Sequence, residues 1–290
     1  MAGIRDIKKK IAGVKNTQQI TRAMKMVSTA RLRRAMERLK AARLYLEKLE
    51  QIVADLQKVV GDPKIHELFA ARPVNSVGIV LVSGERGLCG SFNHDLIRRT
   101  VNLLKEVKAP QKHLIIIGKK GYEYFKRRPT PIIAYHPDLI SNDSSENLRK
   151  AVKNAVGFYS QKIVDEILIV YSNFISPLER KIVVTRLLPL QQIKTEKKSR
   201  VGEGKEMIFD PGPEEILNSL IPRFVEGEFT KAILESSASE QGARMVAMTS
   251  ATDRARDMIR DMTLKYNRTR QAIITKELAE VVAGADALSE

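Results

Sequence analysis

Three glycines that follow a predicted strand are the residues best placed to do chemistry in this chain. Residues 77–82 form a short apolar run, and Gly84, Gly87 and Gly90 come directly after it. A dinucleotide-binding turn has the spacing G-x-G-x-x-G and an acidic residue roughly 20 positions further on. Here the spacing is G-x-x-G-x-x-G, and the second predicted strand ends at residues 118–120 (GKK) without an acid. The pattern favours a tight strand-to-helix turn over its alternative, a nucleotide site.

The other residue types that commonly do chemistry are scattered along the chain. Cys89 has no second cysteine and no adjacent histidine, so the sequence favours a packing role over a nucleophilic one. The four histidines lack the spacing of metal ligands, and neither G-x-S-x-G nor G-x-x-x-x-G-K-[ST] occurs. We therefore expect no catalytic residue, no metal site and no cofactor. The histidines are His66, His94, His113 and His136.

The composition is that of a basic but otherwise ordinary globular chain. It has 290 residues, 43% of them hydrophobic, and its 50 Lys and Arg exceed its 34 Asp and Glu to give a net charge of +16. This charge favours an acidic partner. A single cysteine excludes an internal disulfide and fits a reducing compartment. No run reaches the roughly 18 apolar residues of a membrane span, and the first residues lack a signal peptide's apolar stretch. We expect a soluble or peripheral membrane protein.

Residues 1–60 predict one long helix with the periodicity of a coiled coil. Apolar residues recur at alternating spacings of three and four in a single heptad phase. The phase turns polar in the middle, where Ile20, Met24 and Val27 lie off it. We interpret this as a local slip of the seam that turns a new face outward; alternatively, Met24 and Lys25 face something other than the partner helix. The polar positions of the phase are Gln18, Thr21, Lys25 and Ser28.

Residues 74–208 predict a globular α/β domain. Strand-like runs alternate with helical patterns, which is typical of a parallel-rich sheet. The predicted fold class is therefore α/β, with a central Rossmann-like sheet of five strands. The polar, Lys-rich segment 191–205 is predicted to be a mobile loop that follows the last strand of the sheet. The five predicted strands are 77–82, 113–117, 131–135, 166–171 and 180–188.

Residues 210–290 predict a second long helix, which Pro222 is expected to kink or to split. Its seam of apolar and small residues runs from Met245 to Ile273 and then slips by one position to Ile274. The economical arrangement packs this helix antiparallel on the N-terminal one as a two-helix coiled coil, with the sheet domain near its base. A helix of about 60 residues would be about 90 Å long, and rods of this length span, tether or transmit force.

Four segments resemble the γ subunit of F-type ATP synthases, and the match extends in order over essentially the whole chain. The resemblance implies a rotor shaft inside a ring of three α and three β subunits, with the α/β domain on the c-ring and beside the ε subunit. The chain would be a non-catalytic central-stalk subunit, peripheral to the cytoplasmic face of a bacterial plasma membrane. It would couple proton flow to ATP synthesis or hydrolysis at the β subunits and help regulate the ATPase. The segments are 11–27 (IAGVKNTQQITRAMKMV), 84–90 (GERGLCG), 240–248 (EQGARMVAM) and 274–285 (ITKELAEVVAGA).

The resemblance also implies contact residues on the C-terminal helix. Arg270, Gln271, Thr275 and Glu277 resemble a patch that meets a loop of the β subunit. Arg244 lies on the same predicted shaft and is expected to contact the α or β subunits.

Two further pairs of residues are assigned in the same way. Met24 and Lys25 resemble a segment that faces an acidic region of the β subunit. Phe209 and Asp210 stand where the family touches the c-ring. These residues complete the predicted set of partner contacts.

The positive charge alone would also suit a nucleic-acid-binding protein. The first 44 residues contain no aromatic side chain to stack on a base, and no helix-turn-helix spacing is visible. We therefore expect no nucleic-acid partner. The remaining alternative is a nucleotide-using enzyme built on the α/β domain, which tight, stoichiometric nucleotide binding would identify.

Overall fold

The computed structural model describes residues 4–61, 66–140, 145–191 and 209–289. All but the first residue of the predicted loop 191–205 lies outside these ranges. A 3-10 turn at Glu67–Phe69 follows the first helix. The helices are α1 (Ile4–Val60), α2 (Phe92–Glu106), α3 (Lys119–Phe125), α4 (Ser145–Ser160) and α5 (Pro213–Ser289), and the strands are β1 (Ser76–Val82), β2 (Gln111–Ile117), β3 (Ile132–His136), β4 (Glu166–Phe174) and β5 (Arg180–Leu188).

The five strands form one sheet in the order β3-β2-β1-β4-β5. The first four are parallel, and β5 pairs antiparallel with β4. This confirms the predicted parallel-rich, five-stranded α/β fold. Every residue of the central strand β1 is buried, as expected for a strand covered by helices on both faces.

Helix α3 was missed by the sequence interpretation, which ended the second strand at residues 118–120. The helix begins at Lys119, directly after that strand. Gly118 precedes it with φ +90°, and a Cβ placed there would lie 1.8 Å from the carbonyl oxygen of Ser83. The glycine thus permits a turn that brings two backbone segments together, rather than simply ending a strand.

Alternate residues of the strands point to two separate apolar layers. On one face, Val80 and Val82 of β1 pack in a cluster with residues of α1, α4 and α5. On the other face, Ile79 and Leu81 pack with Phe92 and Leu96 of α2 and with part of α3. The period of two along β1 therefore decides which helix each side chain meets.

The chain divides into two compact units, one of Met1–Ser28 with Met245–Glu290 and the other of Thr29–Arg244. In the larger unit, α1 buries most of its apolar heptad positions. There α5 approaches α1 closely. A Cβ added at Gly227 of α5 would lie only 2.4 Å from Leu46 Cδ2 of α1, so the glycine permits this approach. The buried positions of α1 in this unit include Leu32, Ala35, Leu39, Leu46, Leu49, Val53 and Leu56.

The predicted slip of the α1 seam is wrong. In the smaller unit, Thr21 and Ser28 are buried, whereas Ile20 and Val27 are about half exposed, at 53% and 52%. The heptad phase therefore continues unchanged, and polar residues take the inner positions. The Thr252 hydroxyl of α5 can donate to Thr21 Oγ1 at 2.9 Å, which satisfies the inward polar group.

Helix α5 is a single helix that continues through Pro222, so the predicted split does not occur. In the smaller unit its predicted seam is buried at Met248, Thr252 and Ala255. Beyond Thr269 each residue whose exposure is described, through residue 283, is exposed. Among the residues that the structure describes, no helix is both long enough and apolar enough to cross a membrane.

His66 is expected to make stability depend on pH near neutrality. Its Nδ1 accepts a hydrogen bond from the Leu68 N–H at 3.1 Å, and burial lowers the pKa of His66 below 6.5, although Glu67 acts in the opposite direction. A lowered pKa means that the unfolded chain binds the proton more readily, so this contribution is present above pH 6.5 and is lost as the pH falls. We expect His66→Asn, which keeps an acceptor, to lose less stability on acidification.

The measurement is urea unfolding between about pH 7 and about pH 5, the range in which histidine titrates. His66→Ala is the control, because it removes the acceptor and lowers stability at both pH values. A loss of stability in His66→Asn as steep as that of the unchanged chain would contradict the prediction.

Candidate functional site

The crevice at the carboxyl ends of the parallel strands is the first place to look for a ligand. The strand order reverses at β1, whose neighbours are β2 and β4. Open α/β sheets bind ligands outside the strand ends at such a point. Gly84 lies there, and its N–H donates to Asn93 Oδ1 at 2.9 Å. A Cβ added at Gly84 would lie 3.0 Å from the carboxyl carbon of Glu240, so α5 already occupies this space.

A buried ion pair of α5 fills this part of the crevice. Arg244 and Glu240 are 7% and 4% exposed, and Arg244 Nη2 donates to Glu240 Oε1. The guanidinium also donates to the carbonyl oxygen of Gly87, at 3.3 Å from Nη2. Because Arg244 is buried and bonds to Gly87 and Glu240 inside the larger unit, it presents little surface to a partner subunit.

Glu85 closes the neighbouring part of the crevice. Its carboxylate accepts hydrogen bonds from the Lys119 N–H at 3.1 Å and from the Asp138 N–H at 2.6 Å. Burial raises the pKa of Glu85, while these two donors act against that shift. Backbone N–H groups that could cradle a phosphate are thus occupied by the chain's own carboxylate. The geometry supports the strand-to-helix turn over the nucleotide site.

Cys89 lies in the same turn and is buried. Asn93 Nδ2 donates to its sulfur at 3.2 Å, and burial raises the pKa of the thiol. A buried thiol with a raised pKa is a poor nucleophile. Within the described ranges, no group of three His, Cys, Asp or Glu side chains is arranged to hold a metal ion.

The predicted patch on the C-terminal helix is open to solvent. Arg270, Gln271, Thr275 and Glu277 are all exposed. Residues 270 and 277 lie two turns apart on one face, and 271 and 275 lie one turn apart on another. Polar groups from two adjoining faces are therefore presented together near this end of α5.

Apolar side chains surround this patch, and the sequence interpretation had assigned all of them except Val282 to a helix seam. The exposed fractions of Leu278 and Val281 are 61% and 68%. Contiguous exposed apolar residues on a folded chain mark an interaction surface. The exposed large apolar residues of this surface are Ile273, Ile274, Leu278, Val281 and Val282.

Met24 and Lys25 lie on α1 in the same smaller unit and are partly buried. Beside them Met26 and Val27 are more than half exposed. The structure thus places the two predicted contact residues next to an outward apolar strip.

Phe209 and Asp210 lie in the larger unit, just before α5. Phe209 packs partly buried against the sheet-domain core, whereas Asp210 is exposed. Asp210 is therefore more accessible to another molecule than the ring of Phe209.

A polar cluster around Glu235 was missed by the sequence interpretation. Arg43 of α1 donates to this buried carboxylate from Nη2 at 2.6 Å. The two residues are 192 positions apart, and nothing in the local pattern of either helix links them. The only available signal was an acid within an otherwise small and apolar stretch of α5.

The crevice of the open α/β sheet is filled by the chain's own helix, and the long terminal helices expose apolar surface. This combination is typical of a subunit of a larger assembly. A family model described as ATP synthase matches residues 3–288. The ATP synthase gamma chain of Moorella thermoacetica is 42% identical over 99% of this chain and 100% of its own length. That of Chlorobaculum tepidum is 39% identical over the full length of both chains. The chain therefore belongs to the ATP synthase γ-chain family.

Solved structures show the same fold. A chain from the OSCP, F1 and c-ring assembly of the Euglena gracilis mitochondrial ATP synthase aligns with a TM-score of 0.64 and 20% identity, covering 98% of this chain and 94% of that one. A chain of the Tetrahymena thermophila mitochondrial central stalk and c-ring aligns with a TM-score of 0.57 and 24% identity, covering 80% and 99%.

Proposed function

We propose that this chain is the rotating central-stalk subunit of the F1 sector of a proton-translocating ATP synthase. It carries no catalysis itself and couples ion flow to the nucleotide sites of the β subunits. The observation that carries the proposal is 42% identity with a named γ chain over 99% of the sequence. The filled crevice fits this role, because a subunit that transmits force needs no nucleotide of its own.

The proposed partners are the α and β subunits, with one copy of this chain inside their ring, the ε subunit and the c-ring. The first proposed contact is between a loop of the β subunit and the exposed patch of Arg270, Gln271, Thr275 and Glu277. The apolar end of α5 would rotate inside an apolar ring formed by the partner subunits. Charged groups attract over a distance with little angular specificity, which suits a surface that must slide.

The second proposed contact is the segment of Met24 and Lys25 against an acidic region of β. The third is Asp210, with Phe209 behind it, on the c-ring. Through these partners the chain would lie peripherally at the cytoplasmic face of a bacterial plasma membrane and would help regulate ATP hydrolysis. We propose that Arg244 stabilises the fold of the chain itself and does not contact a partner subunit.

The test of this function is reconstitution with cognate α and β subunits. Mg-ATP hydrolysis is measured with and without the chain, and the subunit ratio of the purified complex is determined. One copy per complex and a rise in hydrolysis support the rotor. No complex and unchanged hydrolysis, together with stoichiometric nucleotide binding by the isolated chain, would favour a nucleotide-using enzyme.

Replacing Arg270 and Gln271 together by alanine is expected to weaken coupling more than assembly. Both side chains are exposed, so the chain folds without them, but their contacts with β are lost. We expect ATP-driven proton pumping to fall about tenfold, which needs a loss of only about 1.4 kcal/mol at the working interface.

The matched control is Arg127→Ala, which removes one exposed positive charge just after α3. Pumping in reconstituted vesicles and the subunit ratio are measured for both variants. Normal pumping by the Arg270→Ala/Gln271→Ala variant would refute the contact.

A further inference from the structure

Helix α5 meets the end of β4 through polar side chains. The pairing of β1 with β4 ends at Val170, although β4 continues to Phe174. The backbone groups of the last residues of β4 therefore have no strand beside them on that edge. Unpaired backbone groups in a buried position need other partners.

Side chains of α5 supply those partners. The Ser172 N–H donates to Ser236 Oγ at 3.0 Å, and Ser239 Oγ donates to the Ser172 carbonyl at 3.1 Å. The Phe174 N–H donates to Glu235 Oε2 at 2.8 Å. Three side chains on about one turn of the helix thus extend the hydrogen bonding of the sheet.

Arg43 connects the same point to α1. Its Nε and Nη2 donate to Glu235 Oε1 at 2.9 and 2.6 Å, and Nη2 also donates to the Phe174 carbonyl at 3.3 Å. The exposed fraction of the Glu235 side chain is 2%, whereas that of Arg43 is 48%. Charge-assisted hydrogen bonds to a group so deeply buried are strong and directional.

We propose that these groups form a polar joint that transmits torque between the sheet and the two long helices. The polar joint consists of Arg43, Glu235, Ser236 and Ser239, with the backbone of Ser172 and Phe174. Apolar contacts are non-directional, whereas hydrogen bonds to fixed backbone groups add a directional constraint on the position of the helix along and around its axis. The inference rests on the proposed rotary function and names the residues through which torque passes in this chain.

The joint is tested in the complete synthase in sealed vesicles. Two variants are compared with the unchanged chain: Ser236→Ala with Ser239→Ala, and Glu235→Gln, which keeps one acceptor oxygen. Neither leaves a bare buried charge, so both are expected to assemble. ATP hydrolysis is measured together with the largest proton gradient that hydrolysis can build.

A chain with a weakened polar joint is expected to support ATP hydrolysis when there is no proton gradient. It is expected to lose the coupling between hydrolysis and proton pumping when the gradient is high. For the double serine variant we expect hydrolysis without a gradient to remain at the unchanged level, and pumping against the full gradient to fall about tenfold. Glu235→Gln is expected to be intermediate. The matched control is Glu226→Gln, because Glu226 also links α5 to a helix of the sheet domain but does so through an exposed pair with Arg149.

The possible outcomes separate the joint from the proposed function. If the unchanged chain itself supports no coupled pumping, the rotary function fails, and the joint fails with it. If the unchanged chain pumps and the double serine variant builds the same gradient, only the joint is overturned. A fall in hydrolysis and pumping in equal proportion would also overturn it, because that pattern indicates defective folding or assembly.

Discussion

Replacing Arg244 by methionine is expected to lower the free energy of unfolding of the chain by about 3–5 kcal/mol, the usual cost of breaking a buried ion pair from one side. The substitution leaves the Glu240 carboxylate buried beside Gly84 without its positive partner. It also removes the donor to the Gly87 carbonyl. Urea unfolding followed by circular dichroism measures the change.

The control is the double substitution Arg244→Met with Glu240→Leu. It removes both charges and keeps a similar volume, so most of the lost stability is expected to return. Substituting Arg33 in its exposed pair with Glu37 is expected to change stability by about 0.5 kcal/mol or less. If Arg244→Met leaves unfolding unchanged but prevents assembly with α and β, the residue is a partner contact after all.

The second large effect is expected at Gly118. A Cβ there would lie 1.8 Å from the Ser83 carbonyl oxygen, and φ is +90°, a conformation that alanine rarely adopts. Because the obstacle is backbone on both sides, neither segment can move away cheaply. We expect Gly118→Ala to cost more than about 4 kcal/mol, a large part of the roughly 5–15 kcal/mol by which an ordinary domain is stable.

Gly157→Ala is the matched control for this substitution. Gly157 lies inside α4, and nothing would lie within 4 Å of its added Cβ. Alanine is the better helix former there, so a gain of about 0.5–1 kcal/mol is expected. Soluble expression and urea unfolding distinguish the two glycines, and a stable Gly118→Ala protein would refute the prediction.

The sequence was sufficient to predict the strands, because their apolar runs are short and bounded by turn residues. It was insufficient for α3, whose seven residues are too few to show a helical period. It also misplaced the seam of α1, because apolar residues are normally assigned to the inside. Ile20 and Val27 are outside and Thr21 and Ser28 inside, as the unbroken heptad phase indicated and the apolar pattern did not.

For the candidate site too, some features could be predicted from the sequence and others could not. The patch at Arg270 was assigned from resemblance, and its contact with a partner stays a prediction; only the exposure of its side chains is seen in the structure. The hydrogen bonds that hold Arg244 and Glu235 could not be predicted, because their partners at Gly87 and Phe174 are distant in the sequence. Chain topology brings those partners together, and no local pattern encodes it.

The apolar end of α5 has a consequence for a chain made in excess of its partners. Leu278, Val281 and Val282 would face water in every unassembled copy. Such surface promotes self-association and draws chaperones and proteases, which remove aggregation-prone protein. Orphan copies should therefore be short-lived in the cell, and the steady-state amount of this chain should follow the supply of the subunits proposed to cover it.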